Sequence, residues 1–405
     1  MNFTLLILSS VVLPIGLLFS SSTSINVDYA IFLFDNGEKN MIASMLNYAR
    51  QHDPNALDHL NFRIIFMGAS VDAMSKEPFC HYPDKLIHYK ELGLEETIDR
   101  HWKRDQKLSQ ASIEKLVQGL NVQKKVWVGV SCSIFEQLLR YYQDHTTAEV
   151  VALRDNPNTD GDTDYFLVAD EIQSIANKVA VPSLIASAKL NPLSQQVAVI
   201  GHGPTEEWCD QTTHLNKQEI IERLHLNPQL PIIVYAGVYG DYYEECFNSF
   251  LKLVPDEAIQ VLIVPHPRYQ GVIEKKNCAQ LSNHVATFSI VGEFETDPTK
   301  KAKTVEALYI ADAVVTADAT STVVSQANAL KKKVLYINAV SSEVSNRLCA
   351  QKLLQKINNT EDFANVIQKT LSTRDSKQPS SSKDVFELLG IPRDGAKLLW
   401  EELLK

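Results

Sequence analysis

Val261-Leu-Ile-Val-Pro-His-Pro-Arg268 sets an apolar run of strand length against an abrupt Pro-His-Pro-Arg ending. A short apolar run bounded by turn residues reads as a buried strand. In an open parallel sheet, ligands bind beyond the carboxyl ends of the strands. His266 and Arg268 therefore stand where such a sheet presents groups to a ligand. Pro267 biases His266 towards extended backbone, which projects the imidazole past the strand. Read alone, the stretch is equally a strand that ends at a Pro-rich turn with solvated polar residues. The rest of the chain decides between the two.

The segments around this stretch repeat its form. Pro231–Ala236 (PIIVYA) opens into Gly237-Val-Tyr-Gly240. Ala286–Ile290 ends at Gly292-Glu293, and Ala313–Thr316 (AVVT) leads to Ala317-Asp-Ala-Thr-Ser-Thr322. Helical patterns at Asp241–Leu253, Thr304–Ile310 and Val323–Leu330 lie between them. Alternating strands and helices give a parallel sheet covered by helices, with all four strand ends on one edge. Each end has a use at a phosphorylated ligand. Gly237 and Gly240 let backbone N–H groups approach a phosphate, with Tyr239 between them. Arg268 can grip phosphate through two N–H groups. Thr320, Ser321 and Thr322 begin a helix whose free amides can receive a diphosphate, and Glu293 can accept hydrogen bonds from a ribose. Singly, each also reads as an ordinary turn or N-cap; their shared edge favours a site.

The first half carries the same alternation. Strands are expected at Asn26–Asp35, Phe62–Met67, Lys125–Val130, Glu149–Leu153 and Tyr165–Val168. Residues 70–106 read as irregular, with a helix near Leu92–Arg100. Asp35 and Glu38, in the DNGEKN segment after the first strand, are the carboxylates expected to face a cleft. His202 can reach the same cleft or satisfy carbonyls at the domain junction. The fold class expected is α/β with two Rossmann-like domains, 25–195 and 196–375, followed by a linker and helix over 376–405.

Bulk properties bound the alternatives. The chain has 405 residues, enough for two cores, and a net charge of -10, which argues against a nucleic-acid binder. The six cysteines are scattered without CxxC or zinc spacing, so free, buried thiols are expected and no metal is called for. Phe3–Phe19 is uncharged and apolar and precedes a serine-rich run, so residues 1–24 read as a signal peptide or membrane anchor. The expected location is a membrane or the secretory pathway and cell envelope.

The second half resembles the C-terminal domain of GT-B glycosyltransferases and of the non-hydrolysing UDP-N-acetylglucosamine 2-epimerases. His266-Pro267 looks like the HP motif of bacterial sialyltransferases and CDP-glycerol glycerophosphotransferases, and Ser321-Thr322 like their paired Ser/Ser or Ser/Thr motif. The resemblance implies a GT-B-like fold with His266, Ser321 and Thr322 at the nucleotide and Arg268 nearby. The sialyltransferase acidic motif is represented at best by Thr159-Asp160-Gly161, and Ala317–Thr322 departs from the full glycerophosphotransferase pattern. The expected function is metal-independent transfer of a sugar or related group from a UDP, CDP or CMP donor, with Asp35 or Glu38 as general base and no further cofactor. Two alternatives stand beside it. One is an exported two-lobed solute-binding protein, which accounts better for the N-terminus. The other is a 2-epimerase, separable by whether free UDP is an intermediate or a product.

Overall fold

The computed structural model describes residues 24–157, 164–188, 190, 196–238, 240, 242–266, 269, 271–279, 285–292, 295–319, 321–337, 343–372 and 385–405. Two parallel sheets organise them. The first contains β1 (Ile25–Leu33), β2 (Phe62–Phe66), β3 (Leu86–His88), β4 (Leu120–Val128), β5 (Glu149–Leu153), β6 (Lys178–Val181) and β7 (Gln196–Val199). Its order is β3-β2-β1-β4-β5-β6-β7. The second contains β8 (Ile232–Ala236), β9 (Gln260–Val264), β10 (Thr287–Ile290), β11 (Ala313–Thr316), β12 (Lys333–Tyr336) and β13 (Gln355–Lys356), in the order β10-β9-β8-β11-β12-β13. The fold is α/β with two Rossmann-like lobes, as the alternation of apolar runs predicts.

Helices cover both faces of each sheet, so the central strands are apolar on both sides. Successive strand residues point to opposite faces. Ala30 and Phe32 join one core cluster of the first lobe, while Tyr29, Ile31 and Leu33 join the other. β8 divides likewise, with Ile232 and Val234 on one face and Ile233 and Tyr235 on the other. β8 and β9 are buried at every position, which is why they read as unbroken apolar runs. In each sheet the strand order reverses between the first and fourth strands to enter, β1/β4 and β8/β11. Crevices outside the strand ends at such reversals are where α/β sheets receive ligands.

Several sequence expectations change. The second lobe was expected to begin at residue 196, but β7 (Gln196–Val199) pairs with β6 and closes the first sheet. The lobe junction therefore follows β7, in the helix Gly203–Thr212. Tyr165–Val168 is helical, within Asp164–Ile175. Val168, Ala169, Ile172 and Gln173 are buried there, a helical period rather than a strand's alternation. No helix forms over 92–100; 3-10 turns surround the three-residue β3, too short to read from pattern. All six thiols are free, but only Cys132 is buried and Cys80 is exposed. The apolar run 3–19 lies outside the described residues. Among the described residues no helix is long and apolar enough to cross a membrane.

The last helix, Gly395–Leu404, returns to the first lobe and packs on the helix Asn36–His52. Leu399, Trp400 and Leu403 share a core with Met41 and Met45, and Trp400 Nε1 donates to Asp53 Oδ2 at 3.2 Å.

Candidate functional site

The parallel strand ends of the second lobe form one wall of a cleft of about 830 Å³ between the lobes. β10, β9, β8 and β11 are consecutive neighbours, so the four segments singled out by sequence share one edge. Gly237, His266, Gly292, Ser321 and Thr322 all line the cleft. Tyr239, Arg268, Glu293 and Thr320 lie outside the described residues.

The ends of β8 and β9 meet closely. A Cβ on Gly237 would lie 2.5 Å from the backbone nitrogen of His266, so only glycine fits between the two strand ends. Gly240 has φ of +125°, a conformation that other residues rarely adopt. The Tyr269 hydroxyl accepts from Gly240 N at 3.0 Å and donates to Gly240 O at 3.1 Å, which ties the glycine loop to the segment after His266. Tyr269 in turn stacks on Tyr243 at 4.1 Å between ring centroids, and Tyr243 donates to the buried Glu274 carboxylate. Burial and this carboxylate push the Tyr243 phenol well above its ordinary range, so it remains a donor. A rigid aromatic support therefore sits under the loop that faces the cleft.

Ser321 caps the helix Thr322–Ala329, its hydroxyl accepting from Val323 N at 3.3 Å. The Thr322 amide at this helix start, with the macrodipole, favours an anion. Asp318 and Lys303 line the cleft beside it.

The opposite wall comes from the first lobe's strand reversal. Asp35 is the N-cap of the helix Asn36–His52 and lines the cleft. Arg104 Nη2 donates to Asp35 Oδ2 at 2.7 Å. Glu38 differs from the sequence expectation. It is fully buried and does not line the cleft. Its Oε2 accepts from the backbone of Phe34 at 2.9 Å and Asp35 at 3.2 Å, and its Oε1 accepts from Ser131 N at 3.1 Å. Phe34 follows β1 and Ser131 follows β4, so this carboxyl fills the sheet's own reversal. Gly129 makes room for it, since a Cβ there would lie 1.9 Å from Glu38 Oε1. Burial, then the neighbouring Asp155 charge, raise the Glu38 pKa to about 8. Glu38 therefore has no path to a bound acceptor, and its work is to join β1, β4 and the helix start.

His202 also acts inside the protein. Its Nδ1 pairs with Thr205 Oγ1 at 2.7 Å and its Nε2 with the carbonyl of Asp155 at 3.0 Å. It caps the helix Gly203–Thr212, and burial lowers its pKa to about 4. Of its two readings from sequence, the junction is the one realised.

Sequence reasoning missed Arg104, Asp155, Glu207, Trp208 and Tyr269. Arg104 sat in a stretch read as irregular. Glu207 and Trp208 carried a usable signal, because Pro204, Glu207, Trp208 and Gln211 recur at one helical face and all line the cleft.

No family model matches this sequence, and no curated protein matches it. Solved structures do. The UDP-N-acetylglucosamine 2-epimerase of Rickettsia bellii is similar with a TM-score of 0.60 at 11% identity, over 94% of this chain and 96% of that one. The UDP-GlcNAc 2-epimerase of Neisseria meningitidis, solved with UDP-GlcNAc bound, gives a TM-score of 0.56 at 13% identity, over 93% and 99%. A glycosyltransferase from Rickettsia africae gives 0.54 at 13%, over 95% and 99%. At these identities the likeness is one of fold: the chain has the GT-B-like fold across both lobes.

Proposed function

We propose that this protein is an enzyme that binds a nucleotide-activated sugar in the interlobe cleft, and that it acts on the sugar in the manner of a UDP-sugar 2-epimerase. The observation that carries the reading is the shared edge of β10, β9, β8 and β11, which turns a glycine loop, His266 and the Ser321 helix start into one cleft. Its support is the near full-length likeness to 2-epimerase structures, one of which holds UDP-GlcNAc. The second lobe would hold the nucleotide. The first would face the sugar.

In either epimerisation or transfer, the bond from the anomeric carbon to the diphosphate breaks and negative charge collects on the departing UDP. The Thr322 amide and the macrodipole at the start of Thr322–Ala329 would offset that charge, without a metal or further cofactor. Inversion at C2 also needs a proton removed from one face and returned to the other. Asp35, Asp72, Glu77, Asp155 and Glu207 are the first-lobe and junction carboxylates that line the cleft. Asp35, held in place by Arg104 at 2.7 Å, replaces Glu38 in this role.

Glycosyl transfer is the second reading, supported by the Rickettsia africae structure and by the short HP and Ser-Thr motifs. Residues 1–24 would then export or anchor the catalytic lobes, a question settled by sequencing the mature N-terminus. The two reactions are separated by incubating the protein with UDP-GlcNAc in D₂O. Epimerisation yields the C2 epimer with deuterium at C2 and no added acceptor. Acceptor-dependent UDP release without deuterium incorporation identifies transfer. Titration calorimetry with UDP, CDP and CMP, on the wild type and His266→Ala, identifies the nucleotide; binding of none of them refutes the whole reading.

A further inference from the structure

The helix Gly203–Thr212 does more than connect the lobes. Pro204, Glu207, Trp208 and Gln211 line the cleft at i, i+3, i+4 and i+7, a single helix face. The adjoining helix Asn36–His52 offers Asn36, Lys39, Asn40 and Ala43 to the same cleft at matching spacing. The two helices pack on each other, and Asn47 Nδ2 donates to Glu207 Oε1 at 3.4 Å. On its other side, Gly203–Thr212 packs on the helices Thr304–Ile310 and Thr322–Ala329, whose first residues also line the cleft. The stripe thus adjoins the helix start assigned above to the diphosphate.

Its chemistry differs from the strand-end wall. Trp208 is partly buried against the second-lobe core, which holds the indole in place, yet part of it lines the cleft. Glu207 is partly buried, and Gln211 is exposed. Burial, relieved in part by Asn47 and Ser44, raises the Glu207 pKa above the ordinary carboxylate value. An indole flanked by a carboxyl and an amide presents one broad apolar surface with polar groups at its rim. A hexose ring is built the same way, with an apolar C–H face and a rim of hydroxyl or acetamido groups. Aromatic side chains supply large contact area with few rotatable bonds, and a few placed polar groups set orientation.

We infer that the Pro204/Glu207/Trp208/Gln211 face is the sugar-reading subsite: the hexose of the nucleotide sugar stacks on Trp208, and Glu207 and Gln211 receive its polar substituents. This rests on the nucleotide-sugar reading and adds which residues discriminate the sugar from the bare nucleotide. The nucleotide, held at the strand ends, makes no use of the stripe.

The test is the ratio of UDP-GlcNAc affinity to UDP affinity, measured by calorimetry on the full chain. Trp208→Ala lowers the UDP-GlcNAc affinity about tenfold while the UDP affinity stays within about twofold. Gln211→Ala, at an exposed position, lowers the ratio about threefold. Trp208→Phe keeps an apolar ring in the core contact and falls between the wild type and Trp208→Ala, which keeps the test alive if the alanine variant does not fold. Retained UDP binding in each variant reports that the nucleotide wall is intact. A wild-type ratio that survives Trp208→Ala and Gln211→Ala overturns the subsite alone, as does equal weakening of both ligands. A wild type that binds neither UDP nor UDP-GlcNAc overturns the nucleotide reading and the subsite with it.

Discussion

Replacing Glu38 with alanine separates a structural carboxyl from a catalytic one. The wild-type side chain accepts three backbone N–H groups, from Phe34, Asp35 and Ser131. The Phe34 and Ser131 donors are buried, and alanine leaves both without this acceptor. A buried donor stripped of its partner costs about 1–3 kcal/mol, so the pair costs about 2–6 kcal/mol. Against a typical total of about 5–15 kcal/mol, this is a large share of the stability. Urea denaturation followed by far-UV circular dichroism should show the loss, with Asp35→Ala, a partly buried cap, costing only about 1 kcal/mol. Glu38→Gln adds a pH arm. With its folded pKa raised to about 8 from an ordinary 4.5, Glu38 favours the neutral form in the fold. A group of this sign contributes stability that is fully present below pH 4.5 and is lost as pH rises through 8. Within that window its contribution declines by about 1.4 kcal/mol per pH unit. The wild type's advantage over Glu38→Gln should therefore shrink from pH 5 to pH 8. Parallel stability profiles refute the titration. Full stability with lost turnover in Glu38→Ala refutes the structural role itself and returns Glu38 to the reaction.

Gly237→Ala places a Cβ 2.5 Å from His266 N and forces the β8 and β9 ends apart; calorimetry should show UDP affinity reduced at least tenfold, at a stability cost of about 1–3 kcal/mol in urea. Ser321→Ala removes the cap of Thr322–Ala329; thermal unfolding should show a loss of about 1 kcal/mol, together with weaker UDP binding. His202→Asn tests the junction. Because its folded pKa is lowered to about 4, His202 contributes stability above pH 6.5 that is lost as pH falls towards 4. The variant should have a flatter acid limb between those values in a pH series of melting temperatures, and an unchanged limb excludes the buried imidazole as its source.

Much of this architecture is legible in the residues. The runs PIIVYA and VLIV, each followed by Gly or Pro, mark β8 and β9 with their ends, because a strand buried on both faces must be apolar throughout. The S-T pair at 321–322 marks a helix start, because a hydroxyl beside free amides is a local arrangement. Asp35 and Glu38 also show how a local signal misleads. Both follow a strand end, and the spacing of a capping box is present in their three-residue separation. The same pair was expected to face a substrate, and one of them faces inward. Tyr165–Val168 was misread for a related reason: four apolar residues carry no period, and only the buried positions 168, 169, 172 and 173 reveal the helix.

What the sequence determined by itself is the alternation of strands and helices, the parallel sheets they imply and the common edge of four strand ends. These follow from hydrophobic periodicity and turn chemistry, which act over a few residues. Only the tertiary structure decided that β7 belongs to the first sheet, that Arg104 pairs with Asp35 across 69 positions, and that Glu38 reaches Ser131 across 93. It also decided that Trp208 faces the cleft. Those outcomes depend on which surfaces meet when two lobes close on each other. Burial then sets each group's chemistry, turning one carboxyl of a capping box into an internal brace and leaving the other in the cleft.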